Sequence, residues 1–216
     1  MIDISETELR AAQKIFGDRL HLAERYVEHL ATSGTERGLI GPREVPRLWS
    51  RHVLNCAVIE NQIPEGRHVA DVGSGAGLPG LCLAIARPDL ELTLIEPLER
   101  RVIWLQEVVD DLGLDNVTVM RTRAELAVGM VNADVVTARA VSALSNLAGL
   151  TIPLLAGKGE VVAIKGRSAG EEVEKAAKVI RKLGGVQTSV VLVGGDLLEE
   201  PTTVVRIVVN KSQKKT

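Results

Sequence analysis

A glycine-rich stretch between a strand pattern and a helix pattern limits the folds open to this chain more than any other feature. Residues 68–72 form a short apolar run that predicts a strand, and residues 81–86 begin an apolar helix pattern. Four of the eight residues from Gly73 to Gly80 are glycines. Glycine is needed where the chain turns sharply and where a ligand touches the backbone. A strand, a glycine turn and a helix N-terminus together indicate a nucleotide-type binding site.

The ligand of this loop is indicated by the residue that precedes it. Residues 75–80 match the dinucleotide pattern G-x-G-x-x-G, but that match alone is weak. With Asp71, the stretch resembles the Asp-x-Gly-x-Gly-x-Gly loop of class I S-adenosylmethionine methyltransferases. A carboxylate there can accept hydrogen bonds from the amino group of the cofactor's methionine part, whereas it would repel a pyrophosphate. Asp71, Gly73 and Gly75 are therefore predicted to bind S-adenosylmethionine.

Strand and helix patterns alternate after residue 65, which predicts an α/β fold with a mostly parallel, doubly wound, seven-stranded sheet. The last two strand patterns are joined by only ten residues, 194–203, too few for a parallel crossover. We therefore expect the last strand pair to be antiparallel. Helix patterns at 5–31 and 43–60 come before the first strand. The predicted organisation is an N-terminal helical extension (1–64), a methyltransferase domain (65–210) and a basic disordered tail (211–216).

Composition restricts the possible partners. The net charge is −2 and only 2% of residues are aromatic, so nucleic acid would have to bind a local basic patch rather than an aromatic platform. The two cysteines and four histidines are too scattered for a metal site or a disulfide framework. No signal-peptide run and no stretch of 18 apolar residues is present, so we expect a cytoplasmic protein that does not enter the membrane. We also expect a monomer.

Polar residues follow several predicted strands, where ligands of open parallel sheets bind. Glu96 ends the second strand, nineteen residues after Gly77, and is placed to accept hydrogen bonds from two ribose hydroxyls. Lys165 and Arg167 follow the fifth strand and would suit an anionic substrate. For each of these three residues, a solvated loop side chain is the alternative.

A series of motifs then identifies a family resemblance. It consists of Arg51-His52-Val53-Leu54-Asn55, the loop Asp71 to Gly80, Arg101 to Leu105, Thr137-Ala138-Arg139-Ala140 and Ala163-Ile164-Lys165-Gly166. Together these motifs resemble the small-subunit rRNA methyltransferase G family, also called GidB. The resemblance runs from about residue 45 to residue 210 and implies a Rossmann-like class I methyltransferase that makes 7-methylguanosine in the decoding-region loop of 16S rRNA.

The resemblance also implies site residues. It adds Leu78, Ala124, Glu125 and Arg139, with Gly73, as cofactor-binding positions, and it makes 16S rRNA, a small subunit or an assembly intermediate the partner. Arg51, His52, Lys165 and Arg167 are predicted to contact RNA. For His52 the alternative is a core residue, because a lone histidine on an apolar helix face is more often buried and satisfied.

The implied product predicts a positional mechanism. Guanine N7 carries a lone pair and no proton, so we expect no catalytic general base, and we expect no metal. The chain has neither an Asn-Pro-Pro-Tyr nor an Asp-Pro-Pro-Tyr motif after its fourth strand, nor a Pro-Cys nucleophile. Two other possibilities remain open: a small-molecule methyltransferase of the same fold, and an NAD-type oxidoreductase or non-catalytic nucleotide-binding module.

Overall fold

The computed structural model describes residues 3–139 and 141–211. A layer of helical segments comes first and is followed by a seven-stranded sheet. The predicted disordered tail falls almost wholly on residues 212–216, which lie outside the described residues. In the described part of the chain, no helix has both the length and the apolar character needed to span a membrane.

The N-terminal layer is helical but irregular. Its regular helices are α1 (Glu6–Phe16), α2 (Leu20–His29) and the short α3 (Asn55–Ala57). Ser5 and Glu8 form the predicted capping box at the start of α1. The remaining turns are 3-10 segments at Gly17–Arg19, Pro42–Arg47 and Val58–Gln62 and π-helical segments at Leu30–Gly34 and Leu48–Leu54.

Two predicted long helices are therefore wrong in detail. The helix predicted for 5–31 is interrupted because Gly17 takes a φ of 51°, a left-handed value at which α1 ends. The helix predicted for 43–60 begins as a 3-10 segment that contains Pro46, which lacks an amide hydrogen and crowds the preceding turn.

The predicted sheet is confirmed. Its strand order is β3-β2-β1-β4-β5-β7-β6, and β7 alone runs antiparallel to both of its neighbours. The helices of this region are α4 (Gly80–Ala86), α5 (Glu99–Leu112), α6 (Ala124–Ala127), α7 (Leu144–Thr151) and α8 (Ala169–Leu183). The strands are β1 (His68–Val72), β2 (Glu91–Ile95), β3 (Val117–Met120), β4 (Ala133–Arg139), β5 (Leu155–Ile164), β6 (Gly185–Val193) and β7 (Thr202–Asn210).

Each face of the sheet carries its own apolar core, because alternate strand side chains point to opposite faces. Val69 packs on one face with α4, α5 and the whole N-terminal layer, and Ala70 packs on the other with α7 and α8. The N-terminal layer therefore shares a core with the sheet. This arrangement brings residues of the layer close to the carboxyl ends of β1 and β4.

Candidate functional site

The candidate site lies where the strand order reverses. β1 pairs with β2 on one side and with β4 on the other, both in parallel, so the connections after β1 and β4 leave in opposite directions. This reversal opens a crevice at the carboxyl ends of the two strands, where open α/β sheets bind ligands. The glycine loop follows β1 and lies at this crevice.

The glycine loop has a backbone that other residues could adopt only with strain. Gly73, Gly75 and Gly77 have φ values of 70°, 57° and 83°. A Cβ atom on Gly77 would lie 2.4 Å from Leu81 Cδ1, so only glycine fits against α4 there. The Gly73 amide donates to Ile95 O at 2.9 Å, which ties the loop to the end of β2. Leu78, another predicted cofactor residue, is partly buried in the same loop.

Asp71 points into the protein beneath this loop. Its side chain is fully buried, and Oδ2 accepts a hydrogen bond from the Gly80 amide at 3.1 Å, at the start of α4. Oδ1 has no hydrogen-bond partner among the described residues. Burial raises the pKa of Asp71 to about 7, against hydrogen bonds from Ser74 and Gly80 that lower it. The buried oxygen without a partner is an acceptor that a cationic ligand group could use.

Glu96 holds the glycine loop from the β2 side. Its carboxylate is only 1% exposed and accepts hydrogen bonds from the Gly75 amide at 3.0 Å and the Leu98 amide at 2.9 Å. Arg101 Nη1 lies 3.6 Å from Glu96 Oε2. A carboxylate has about four lone-pair positions. Glu96 can therefore keep both amides and still accept hydroxyl groups of a ligand.

The remaining predicted cofactor residues follow β3 and β4. Ala124 is buried and Glu125 exposed at the first turn of α6, directly after β3. Val141 follows β4 and covers the glycine loop, because a Cβ atom on Gly73 would lie 3.1 Å from Val141 Cγ2. The structure therefore brings the ends of β1, β2, β3 and β4 to one edge, as their sequence positions predicted.

Arg139, at the end of β4, is held by the N-terminal layer. Nη1 donates to Cys56 Sγ at 3.1 Å, and Nη2 donates to Arg51 O at 3.2 Å. Nη2 also lies 3.1 Å from His52 Nδ1. Burial acts to lower the pKa of Arg139, but Cys56, Cys82 and Tyr26 together outweigh it and the pKa lies above its ordinary value. Arg139 is therefore a firmly held cation at the crevice.

His52 is buried rather than exposed to solvent, with 9% of its surface accessible. Its Nε2 lies 2.8 Å from Glu44 Oε2, so both ring nitrogens are engaged inside the protein. Burial lowers the pKa of His52, and the Arg139 and Arg51 charges act in the same direction against Glu44. The RNA contact predicted for His52 stays a prediction, and its surroundings match the alternative of a satisfied buried histidine.

Sequence reasoning missed two buried residues near the crevice. Tyr26 is fully buried on α2, and its hydroxyl donates to Ala76 O of the glycine loop at 2.6 Å. Burial raises the pKa of Tyr26 well above its ordinary value. Cys56 has a lowered pKa because Cys82 and Arg139 outweigh the effect of its burial. One sequence signal did point to Tyr26: it is the only tyrosine and adjoins the apolar face of its helix, where a phenol needs a partner.

A cavity of about 990 Å³ adjoins this edge of the sheet, between the start of α1, the segment 47–55 and the loops after β5 and β6. Five cations line it: Arg47, Arg51, Arg139, Lys165 and Arg167. Carboxylates line it as well, namely Glu8, Glu172, Glu199 and Glu200.

The two predicted cations after β5 differ in their surroundings. Lys165 has a side chain only 10% exposed, and its Nζ lies 2.8 Å from Glu172 Oε2 and donates to Ser142 O at 2.8 Å. Arg167 is exposed, and within the described residues no carboxylate pairs with it. Lys165 is therefore largely neutralised, while Arg167 keeps its charge for a ligand.

Comparison with known proteins identifies relatives along almost the whole chain. The model of the GidB family, described as rRNA small subunit methyltransferase G, matches residues 19–200. The chain is 91% identical over 214 residues to ribosomal RNA small subunit methyltransferase G of Arthrobacter sp. (strain FB24), covering 99% of each chain. It is 56% identical over 202 residues to the protein of the same name from Streptomyces avermitilis, covering 93% of this chain and 85% of the relative.

Solved structures confirm the fold. M. jannaschii TYW2 in complex with AdoMet superposes with a TM-score of 0.60 at 17% identity, over 76% of this chain and 78% of the other. A putative rRNA-methylase from Clostridium thermocellum gives a TM-score of 0.52 at 16% identity, over 75% and 98%. The family model and the high-identity relatives confirm the methyltransferase class over the oxidoreductase alternative. The chain belongs to the GidB family of rRNA small subunit methyltransferases G.

Proposed function

We propose that this chain transfers a methyl group from S-adenosylmethionine to N7 of a guanine in the decoding-region loop of 16S rRNA. The observation that carries the proposal is the cavity at the carboxyl ends of β4 and β5, which Arg47, Arg51 and Arg167 line with exposed side chains. A net charge of −2 leaves RNA to bind a local surface of this kind, where five cations outnumber four carboxylates. Family membership supports 16S rRNA as the substrate, and we place the activity in the cytoplasm, with a monomeric enzyme.

The residues at the crevice fit the cofactor. Asp71 Oδ1 is a buried acceptor without a partner among the described residues, which suits the amino group of the methionine part. Glu96 has lone pairs left for the ribose hydroxyls. The positive φ values of Gly73 and Gly75 let the backbone approach the ligand closely. We assign Leu78, Ala124, Glu125 and Arg139 to the same cofactor site.

The chain's own residues contribute position rather than proton transfer. When bound, S-adenosylmethionine supplies a methyl group on a sulfonium that needs no further activation. Guanine N7 has no proton to lose, and His52, the histidine beside the crevice, has both ring nitrogens engaged. The protein's task is then to hold N7 in line with the methyl group, an effect that can supply several kcal/mol.

The cavity supplies a surface for the RNA around the target base. Arg51 has a side chain 59% exposed, and Arg167 is exposed across the cavity, so both can meet phosphates. Lys165 contributes less because Glu172 already compensates its charge. A guanine in a loop can be turned out of its stack at a modest energetic cost, which suits a cavity of this size.

The test uses 16S rRNA from a strain that lacks the corresponding enzyme, both as naked RNA and in small subunits. The purified protein should incorporate one methyl group, and the product should be cleaved at that nucleotide after borohydride and aniline treatment. A methylated product that resists cleavage would move the reaction to another atom. Absence of methylation on both substrates, combined with turnover of a small molecule, would establish the alternative methyltransferase function.

A further inference from the structure

The Arg139 guanidinium is held by three groups that all belong to residues 51–56 of the N-terminal layer. They are Arg51 O at 3.2 Å, His52 Nδ1 at 3.1 Å and Cys56 Sγ at 3.1 Å. None of them is a carboxylate, and within the described ranges no carboxylate forms an ion pair with Arg139. These contacts fix the direction of the guanidinium without neutralising it with a carboxylate.

The contact with Arg139 determines the state of the His52 ring. A guanidinium can only donate, so Nδ1 must carry a lone pair and accept the hydrogen bond. Nε2 then carries the ring's proton and donates to Glu44 Oε2 at 2.8 Å. Glu44 is itself held by Arg47 at 2.6 Å, and Arg51 Nε lies 3.7 Å from it. His52 is therefore a neutral ring fixed between a carboxylate and a guanidinium.

His52 is not placed to touch a ligand. It is buried and, in the part of the chain that the structure describes, is not among the residues that line the cavity, whereas its neighbours Ser50 and Arg51 are. Its contact with Arg139 is the route by which His52 can influence a bound cofactor. Plain packing does not account for this arrangement, because an apolar side chain would fill the same space without matching a donor on one side and an acceptor on the other.

We propose that His52, supported by Glu44, is a positioning residue that aims the Arg139 guanidinium at the cofactor. The inference rests on the proposed function, in which Arg139 takes part in cofactor binding. It gives the N-terminal layer a defined role, because segment 44–56 supports the Arg139 side chain of the cofactor site without contacting the cofactor through His52. Loss of the hydrogen bond from Arg139 to Nδ1 should let the guanidinium turn away and weaken cofactor binding.

Two amide substitutions separate the two bonds of the ring. In His52→Asn the short amide places its oxygen near the Nδ1 position and can still accept from Arg139. In His52→Gln the longer amide reaches the Nε2 position and keeps only the bond to Glu44. We expect His52→Asn to bind S-adenosylhomocysteine within about threefold of the unchanged protein and His52→Gln to bind about tenfold more weakly, as titration calorimetry would measure.

A matched control comes from the same layer. His29 Nε2 lies 2.8 Å from Asp111 Oδ2, also a histidine–carboxylate contact, but it lies away from Arg139. His29→Gln should leave the affinity for S-adenosylhomocysteine unchanged. Thermal melting of each variant without ligand shows whether it is folded, and the comparison of Asn with Gln uses two variants of similar size and polarity.

Arg139→Ala distinguishes the failure of this inference from the failure of the proposed function. We expect Arg139→Ala to weaken binding about tenfold or more and His52→Gln to add no further loss in that background. If Arg139→Ala binds normally, the assignment of Arg139 to the cofactor is wrong. If Arg139→Ala binds weakly but Asn and Gln at position 52 behave alike, or Gln binds better than Asn, the positioning role of His52 is wrong.

Discussion

The carboxyl group beneath the glycine loop should make the ligand-free protein less stable as pH rises. Asp71 is fully buried, and its pKa is raised to about 7 from an ordinary value of 3.8. Between these two values the folded state binds more protons than the unfolded state, so the free energy of unfolding falls by about 1.4 kcal/mol per pH unit. The stabilisation by the protonated carboxyl group is fully present below the pKa of Asp71 in the unfolded state and is lost as pH rises through about 7. Full ionisation then costs about 4 kcal/mol.

Asp71→Asn removes this ionisation while keeping the shape of the side chain. Its amide oxygen can still accept from the Gly80 amide, but its NH₂ group replaces the oxygen that has no partner among the described residues. An unsatisfied buried amide costs about 1–3 kcal/mol. We therefore expect the variant to be about 1–3 kcal/mol more stable than the unchanged protein at pH 8, because about 4 kcal/mol of ionisation cost is removed. At pH 4 the variant should be no more stable than the unchanged protein. It should also bind the cofactor more weakly.

Urea unfolding of both proteins across this pH range, without cofactor, is the measurement. Asp89 provides a control of opposite sign, because its hydrogen bond with Arg87 lowers its pKa to about 2. Asp89→Asn should lose stability at neutral pH, where the unchanged carboxylate is ionised and paired. If the free energy of unfolding of Asp71→Asn differs from that of the unchanged protein by the same amount at every pH, the buried carboxyl group does not titrate near pH 7.

Three further predictions concern the cofactor, the RNA and the chemical step. Glu96→Gln should weaken S-adenosylhomocysteine binding by about 1–3 kcal/mol in calorimetry, because a carboxylate acceptor is lost. Glu99→Gln, which changes an exposed carboxylate nearby, is the control. If both variants bind S-adenosylhomocysteine with equal affinity, the placement of Glu96 in the cofactor site is wrong. Arg167→Ala should lower the salt dependence of RNA binding by about one ion equivalent. Lys165→Ala should lower it less, because Glu172 already pairs with the charge of Lys165. A larger effect of Lys165→Ala than of Arg167→Ala would contradict this prediction. Single-turnover methyl transfer should be nearly flat from roughly pH 6.5 to 8.5, and a bend in that window that disappears in His52→Gln would make His52 a general base.

The sheet could be predicted from the sequence because its signals are local. The first strand, residues 68–72, has the predicted bounds, since an apolar run closed by glycines leaves little alternative. The antiparallel pairing of the last strands followed from the short connection alone. The N-terminal layer was harder because a helical period does not show where turns tighten or widen. Gly17 and Pro46 marked two of the irregular places, and the packing of the layer on the sheet determined the rest.

The site could be predicted only in part, because sequence position places a residue at a strand end but does not show what its side chain meets there. Glu96 and Arg139 lie at the crevice as expected. Lys165 follows its strand as expected, yet Glu172, on a helix later in the chain, compensates its charge. Tyr26 and Glu44 reach the site from a separate layer, and a contact across 50 residues such as Tyr26 to Ala76 leaves no periodic pattern.

The position of β7 between β5 and β6 has a consequence for how the chain assembles. The ribosome produces β6 before β7, but within the described residues β6 pairs with no strand other than β7, so the sheet cannot grow in the order of synthesis. Until residues 202–210 insert, β5 presents an open edge and β6 has no partner, and such edges invite pairing between chains. A chain interrupted between β6 and β7 would therefore be an aggregation-prone fragment rather than a weaker enzyme, even though every residue assigned to the crevice precedes the break.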